Sequence, residues 1–176
     1  ANTPASGETT GPENESGQVQ LNPTWGLDRI DQRQRPLDGQ YRYRESGAGV
    51  LVHVFDTGVR ASHVELAGRV AEGFSVISDG LGTADCHGHG THVAGTIAAS
   101  VHGVAKDAII SPVRVLGCDG TGSSSGIITA IDWVLTHHQS GTPTLVNMSL
   151  GGAASAPFDT AVERLVDAGI TVVAAA

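Results

Sequence analysis

Lysine is almost absent from this chain: Lys106 is the only one in 176 residues, and 18 acidic side chains against 10 basic ones leave a formal charge of -8. Such a surface has no basic patch to neutralise phosphates or anionic headgroups, which argues against nucleic-acid and membrane partners. Long apolar runs are missing as well. Nothing approaches the roughly 20 residues that cross a bilayer, and the first residues lack the basic start and apolar middle of a secretory leader. The chain therefore reads as soluble and already processed. Cysteine is scarce: Cys86 and Cys118 allow at most one intramolecular bridge, and two thiols alone do not tell a secreted protein from a cytosolic one. What is present is an ordinary globular balance, 40% apolar and 16% charged, long enough to bury a core.

Residues 1–24 are rich in Gly, Pro, Ser, Thr, Asn and Glu, with little apolar surface to offset the entropy of ordering, and read as a polar tail or linker. Residues 25–176 read as one domain. The run Val50-Leu51-Val52-His53-Val54-Phe55 has the β-branched character of a buried parallel strand and ends at Asp56-Thr57-Gly58. Similar runs occupy 145–149 and 170–175. Ile127, Ile128, Ile131, Val134 and Leu135 fall at helical spacing, as do Phe158, Ala161, Val162, Leu165 and Val166 between Pro157 and Gly169. This alternation predicts an α/β fold, a doubly wound, mostly parallel sheet with helices on both faces and function at the carboxyl ends of its strands. Ala108–Val115 should be a further strand, with a bulge or irregular pairing where Pro112 removes a ladder donor. The chain stops at Ala176 inside an apolar run, so a longer protein is expected.

The densest chemistry lies in Asp85-Cys86-His87-Gly88-His89-Gly90-Thr91-His92, with three imidazoles in six residues at the start of a helical stretch. Paired with a strand-end carboxylate such as Asp56, a histidine can be held in one tautomer while its other nitrogen takes a proton from a nucleophile. Val54-Phe55-Asp56-Thr57-Gly58-Val59 and His89-Gly90-Thr91-His92-Val93-Ala94-Gly95-Thr96 resemble the aspartate and histidine signatures of subtilisin-like serine proteases. Trp25–Gln32, Gly103-Val104-Ala105 and Val146–Gly152 resemble the proteinase K branch, so the resemblance spans 25–176.

The resemblance implies a serine endopeptidase in which Asp56 orients His89 and His89 serves as general base and then general acid. The family's Gly-Thr-Ser-Met-Ala motif does not occur in these residues, and the Ala-Ala-Gly that precedes its oxyanion asparagine is cut at Ala174-Ala175-Ala176. The chain is thus expected to lack the carboxyl-terminal portion of its catalytic domain and to be inert alone. The remainder, in the same chain or as a separate one, would be a partner alongside polypeptide substrates, and the complete protein is expected to be a monomer. Gly120, Thr121, Gly122 and Ser123, with Ser149, Leu150 and Gly151, resemble the two segments that sandwich a substrate backbone as an added strand, which implies broad specificity. Cys86 and Cys118 match a disulfide of bacterial members of this branch and imply a secreted, extracellular setting. Asp28, Asp31, Gln32 and Asp38, with Gln40 where relatives carry Asn, match a calcium site.

Other readings of the same residues compete. Cys86, His87, His89 and His92 are legitimate zinc ligands at close spacing. Residues 121–127 resemble the cofactor turn of short-chain dehydrogenases, but position 102 is histidine where that family needs a tyrosine four residues before Lys106. A peptide-binding pseudoenzyme or catalytically incomplete fragment is the alternative from another class. Asp79–Asp85 has too few acids for a second calcium loop. His53, His63, His102, His137 and His138 suggest no partners.

Overall fold

A computed structural model describes residues 17–175, in two compact units that divide between Glu45 and Ser46. Residues 1–16, most of the segment read as a tail, lie outside the described residues. In the first unit β1 (Gln18–Leu21) pairs antiparallel with β2 (Gln40–Tyr43), in register from Gln18↔Tyr43 to Leu21↔Gln40, and α1 (Trp25–Ile30) lies between them in sequence. Residues 18–21 are therefore strand, not tail. Four residues with mostly exposed side chains carry no compositional signal, because their order comes from ladder bonds to a segment some twenty residues downstream. Tyr43 reinforces the pairing, its hydroxyl donating to Gln18 Oε1 at 3.0 Å.

The second unit is built on β3 (Leu51–Asp56), β4 (Phe74–Ser75), β5 (Ile109–Arg114), β6 (Thr144–Met148) and β7 (Thr171–Ala174), an all-parallel sheet in the order β4-β5-β3-β6-β7. The crossovers run through α2 (His89–Ala98), α3 (Ser124–His137) and α4 (Ala156–Asp167). Side chains alternate along β3, so Val52 and Val54 pack with Ala94 and Ala98 of α2, while Phe55 joins Ile131, Val134 and Leu165 of α3 and α4 on the opposite face. Both faces are covered, as the strand and helix alternation predicts.

Pro112 corrects one expectation. β5 pairs with β3 without interruption from Leu51↔Ile109 to Asp56↔Arg114, with Val54 opposite Pro112. Ile110 exchanges backbone bonds with Arg69 and Ala71 and the Arg114 carbonyl accepts from Val76 N on the outer side, so the neighbouring even-numbered Pro112 faces the same way, against Gly73. The missing donor falls in the gap between the isolated Val70↔Ile110 bridge and the first β4 pair, Phe74↔Val113. Irregular pairing exists, but in the outer neighbour.

Several histidines have partners that sequence did not suggest. His102 Nδ1 lies 2.6 Å from Glu65 Oε1, His63 Nδ1 accepts from Glu65 N, and His137 Nδ1 donates to the Trp133 carbonyl at 2.8 Å. His53 is 4% exposed, edge-on to Trp133 with ring centroids 6.0 Å apart, and its Nδ1 has no hydrogen-bond partner. Burial, helped by repulsion from His138, pushes its pKa from 6.5 down to about 4. A base whose folded pKa is depressed is held neutral by the fold, so its penalty is absent above pH 6.5 and complete below pH 4. Stability should fall by up to about 3 kcal/mol across that window. Urea midpoints at pH 4 and pH 7 check this: His53→Leu should flatten the acid limb, and an unchanged limb in the variant would exclude His53 as its source.

Candidate active site

Asp56 is the last residue of β3 and fully buried, and His89 is the first residue of α2. The strand end and the helix start meet so that His89 Nδ1 lies 2.8 Å from Asp56 Oδ1 and 2.9 Å from Oδ2. Thr57 N donates to Asp56 Oδ1 at 2.7 Å, which fixes the carboxylate plane. The imidazole itself is 44% exposed and faces solvent on its far side. This approach depends on Gly90, where a Cβ would stand 2.1 Å from the Gly58 carbonyl oxygen and 3.0 Å from Asp56 Cβ. Gly88 precedes the helix at φ 103°, a left-handed conformation suited to glycine. With Nδ1–H committed to a carboxylate, Nε2 is the nitrogen left to exchange a proton with a group in the cleft.

That cleft, about 1050 Å³, runs past His89. Gly120, Thr121, Gly122 and Ser123 line one side, and Ser149, Leu150 and Gly151 another. The structure thus brings together all seven residues proposed for substrate contact and the histidine. Ser123 also closes the start of α3, its Oγ accepting from Gly126 N at 3.1 Å. Phe158, Val162 and Val172 add an apolar floor that sequence reading did not assign.

Cys86 and Cys118 form a disulfide. It joins the loop before His89 to the turn before Gly120, two walls of the cleft. Beneath it lies Arg114, fully buried at the end of β5, a charge within an apolar strand whose significance the sequence pattern concealed. Its guanidinium donates to both oxygens of Asp79 at 2.8 and 2.6 Å, to the Gly82 carbonyl, and to Cys86 Sγ at 3.3 Å. The Arg114 hydrogen bond, first among its causes, holds the Asp79 carboxyl at about 2. Asp79 is therefore a structural ion-pair partner.

The zinc alternative fails because the Cys86 sulfur is spent in the disulfide and the remaining His87, His89 and His92 form no close ligand set among the described residues. Among the described residues the one set of three close His, Cys, Asp or Glu ligand atoms is Asp79, Cys86 and Cys118, and two of these are the bridged sulfurs. In the first unit, Asp28 Oδ2 accepts from Gly39 N and Asp31 Oδ2 from Arg42 N, yet Oδ1 of each is buried with no hydrogen-bond partner. Two orphaned carboxylate oxygens three residues apart suit a hard cation. Asp38 is engaged with Arg42 at 2.7 Å, Gln32 donates through Nε2 to the carbonyls of Gln34 and Pro36, and Gln40 sits in β2 opposite Leu21. Of the five residues only Asp28 and Asp31 keep an unpartnered carboxylate oxygen, and Asp28, Asp31 and Asp38 do not form a close set of three ligand atoms.

Residues 47–176 match the family model described as "Subtilase family". The chain is 54% identical over 158 residues to an "Extracellular serine proteinase" of Thermus sp. (strain Rt41A), covering 90% of this chain and 38% of that protein. It is 48% identical to "Alkaline serine exoprotease A" of Vibrio alginolyticus, covering 89% of this chain and 29% of that protein. A solved "cold adapted subtilisin-like serine proteinase" superposes with a TM-score of 0.82 at 46% identity, over 87% of this chain and 55% of that one. The chain therefore spans less than two fifths of the length of these two curated relatives.

Proposed function

This chain belongs to the subtilase family, and we propose that it is the amino-terminal part of the catalytic domain of a secreted serine endopeptidase, with Asp56 and His89 as two members of its triad. The observation that supports this most is the Asp56–His89 contact at the edge of a cleft flanked by residues 120–123 and 149–151. The nucleophilic serine and the oxyanion asparagine would come from the remainder of the protein, since no Gly-Thr-Ser-Met-Ala sequence occurs in these 176 residues.

In this reading the substrate backbone lies as an added strand between the two flanking segments, where glycines permit close approach and main-chain bonds give broad specificity. His89 Nε2 takes the serine proton as Oγ attacks the scissile carbonyl, then passes it to the leaving amine. Water repeats the cycle on the acyl-enzyme. Asp56, desolvated and anchored by Thr57 N, keeps the proton on Nδ1 and stabilises the transient imidazolium. Asp28 and Asp31, through their unpartnered oxygens, would be the carboxylates that hold a calcium ion, which would supply a structural cross-link and no chemistry to the peptide bond. Polypeptides are the substrates, and the completed protein acts as an extracellular monomer.

Intact-mass spectrometry after treatment with a serine-directed fluorophosphonate tests the assignment. The 176-residue chain should remain unlabelled, and the same chain continued through its serine-bearing segment should take up one equivalent and cleave casein. Labelling of the short chain would overturn the placement of the nucleophile. An extended protein that neither labels nor cleaves would overturn the protease reading.

A further inference from the structure

The Asp85 carboxylate is saturated with hydrogen bonds that join separate pieces of the site. Its Oδ1 accepts from His87 N at 2.9 Å, Gly88 N at 2.8 Å and Thr57 Oγ1 at 2.9 Å. Its Oδ2 accepts from Thr91 N at 2.9 Å and Thr91 Oγ1 at 2.5 Å. Partial burial opposes ionisation, but the donors at Gly88, Thr91 and His87 outweigh it and hold the carboxyl at about 2. Thr57 and Thr91 extend the network outward, for Thr57 Oγ1 accepts from Gly90 N and Thr91 Oγ1 from Arg60 N, both at 3.0 Å.

These bonds span a junction. Thr57 directly follows Asp56 on the strand side, whereas Gly88, Gly90 and Thr91 surround His89 on the helix side. No side chain caps α2 from its own N-cap position, because that residue is Gly88. Asp85 takes over the task from three residues upstream and ties the helix start to the strand end in the same step. His89, itself nearly half exposed, is held through Nδ1 by Asp56 and meets the His87 ring edge-on at 6.4 Å, so the placement of the first turn decides whether imidazole and carboxylate stay in line.

We propose that Asp85 is a positioning residue for His89: its carboxylate locks the first turn of α2 against the end of β3 and so keeps Nδ1 on Asp56 and Nε2 aimed into the cleft. Asp85 touches neither substrate nor reacting atoms. The inference rests on the protease reading above and adds a residue to it. The cost of releasing the lock is one of geometry, and displacement of a proton-transfer group by about 1 Å can slow a reaction roughly 100-fold. Asparagine is no substitute, since its amide nitrogen would face N–H donors at either the Thr91 or the Gly88 side.

Two measurements on Asp85→Ala test this. In the serine-bearing protein, kcat should fall about 100-fold with KM changed by less than threefold. In the 176-residue chain, the far-downfield proton resonance of His89 Nδ1–H shared with Asp56 should broaden or vanish through exchange with water. Thr57→Val removes one donor and covers the case in which Asp85→Ala does not fold; it should lower kcat about tenfold, and Thr57→Ser should recover most of that loss by restoring the hydroxyl. A folded Asp85→Ala with kcat within twofold of wild type, or with the Nδ1 resonance unchanged, overturns the proposal, as does a Thr57→Val that matches wild type. If the extended wild type is inactive while Asp85→Ala still abolishes the resonance, the protease reading falls and the positioning role stands.

Discussion

His89→Ala, made in the protein that carries the serine-bearing segment, is expected to lower kcat by roughly 10⁶-fold, the magnitude known for loss of the histidine from subtilisin, a member of the same family. On the proposed mechanism the reason is physical: His89 lines the cleft with Nδ1 against a buried carboxylate, and alanine would leave the serine proton without an acceptor. Asp56→Asn should cost less, roughly 10⁴-fold. The amide preserves the volume of a fully buried side chain and an acceptor for Thr57 N, but it offers no negative charge to the imidazolium. Turnover of a peptide amide at saturating concentration measures both. The ordering matters as much as the size: an Asp56→Asn loss equal to that of His89→Ala would mean that the asparagine variant has lost the histidine's position as well as the charge. A His89→Ala loss below tenfold would remove the histidine from the mechanism.

Severing the Cys86–Cys118 bridge should cost about 3 to 4 kcal/mol, because it closes a loop across 32 residues and restricts the unfolded chain accordingly. For a chain of this length that corresponds to a fall in melting temperature of roughly 10 °C. Cys86→Ser with Cys118→Ser is the suitable variant, since small hydroxyls can still accept from the buried guanidinium of Arg114. Urea unfolding of the variant and of wild type, with and without reductant, gives the comparison. Reductant should shift wild type to the variant's midpoint and leave the variant unmoved; a difference below about 1 kcal/mol would show that the loops at its two ends are held by other contacts, chiefly Arg114 with Asp79.

These outcomes bear on how much was legible in the residues alone. The strands at β3, β6 and β7 and the helices at α3 and α4 announce themselves through β-branched runs, helical spacing, Pro157 and Gly169, because burial on one face leaves a periodic trace. The Asp56 and His89 pair was legible for a different reason, as two sequence signatures with a known relation. What stayed hidden depends on contacts between segments far apart in the chain. β1 has no pattern without β2. Pro112 betrays a missing donor but not the side on which it is missed. Arg114 shows as a charge in an apolar strand, yet only the fold brings Asp79 to it across 35 residues. Asp85 lay within the quoted histidine motif, but its bond to Thr57 crosses 28 residues and no spacing rule marks it.

Trp133 carries a last consequence, an optical one. Its indole is stacked between Phe74 at 5.3 Å and His137 at 4.5 Å, with His53 edge-on. The only other tryptophan, Trp25, is 78% exposed and belongs to the first unit. The two units therefore carry one tryptophan each, one exposed and one packed among aromatic rings, and the emission of Trp133 reports on the imidazoles around it. Red-edge emission, accessible to iodide, follows the first unit, and blue-edge emission follows the parallel sheet. An unlabelled sample can thus show which of the two units loosens first.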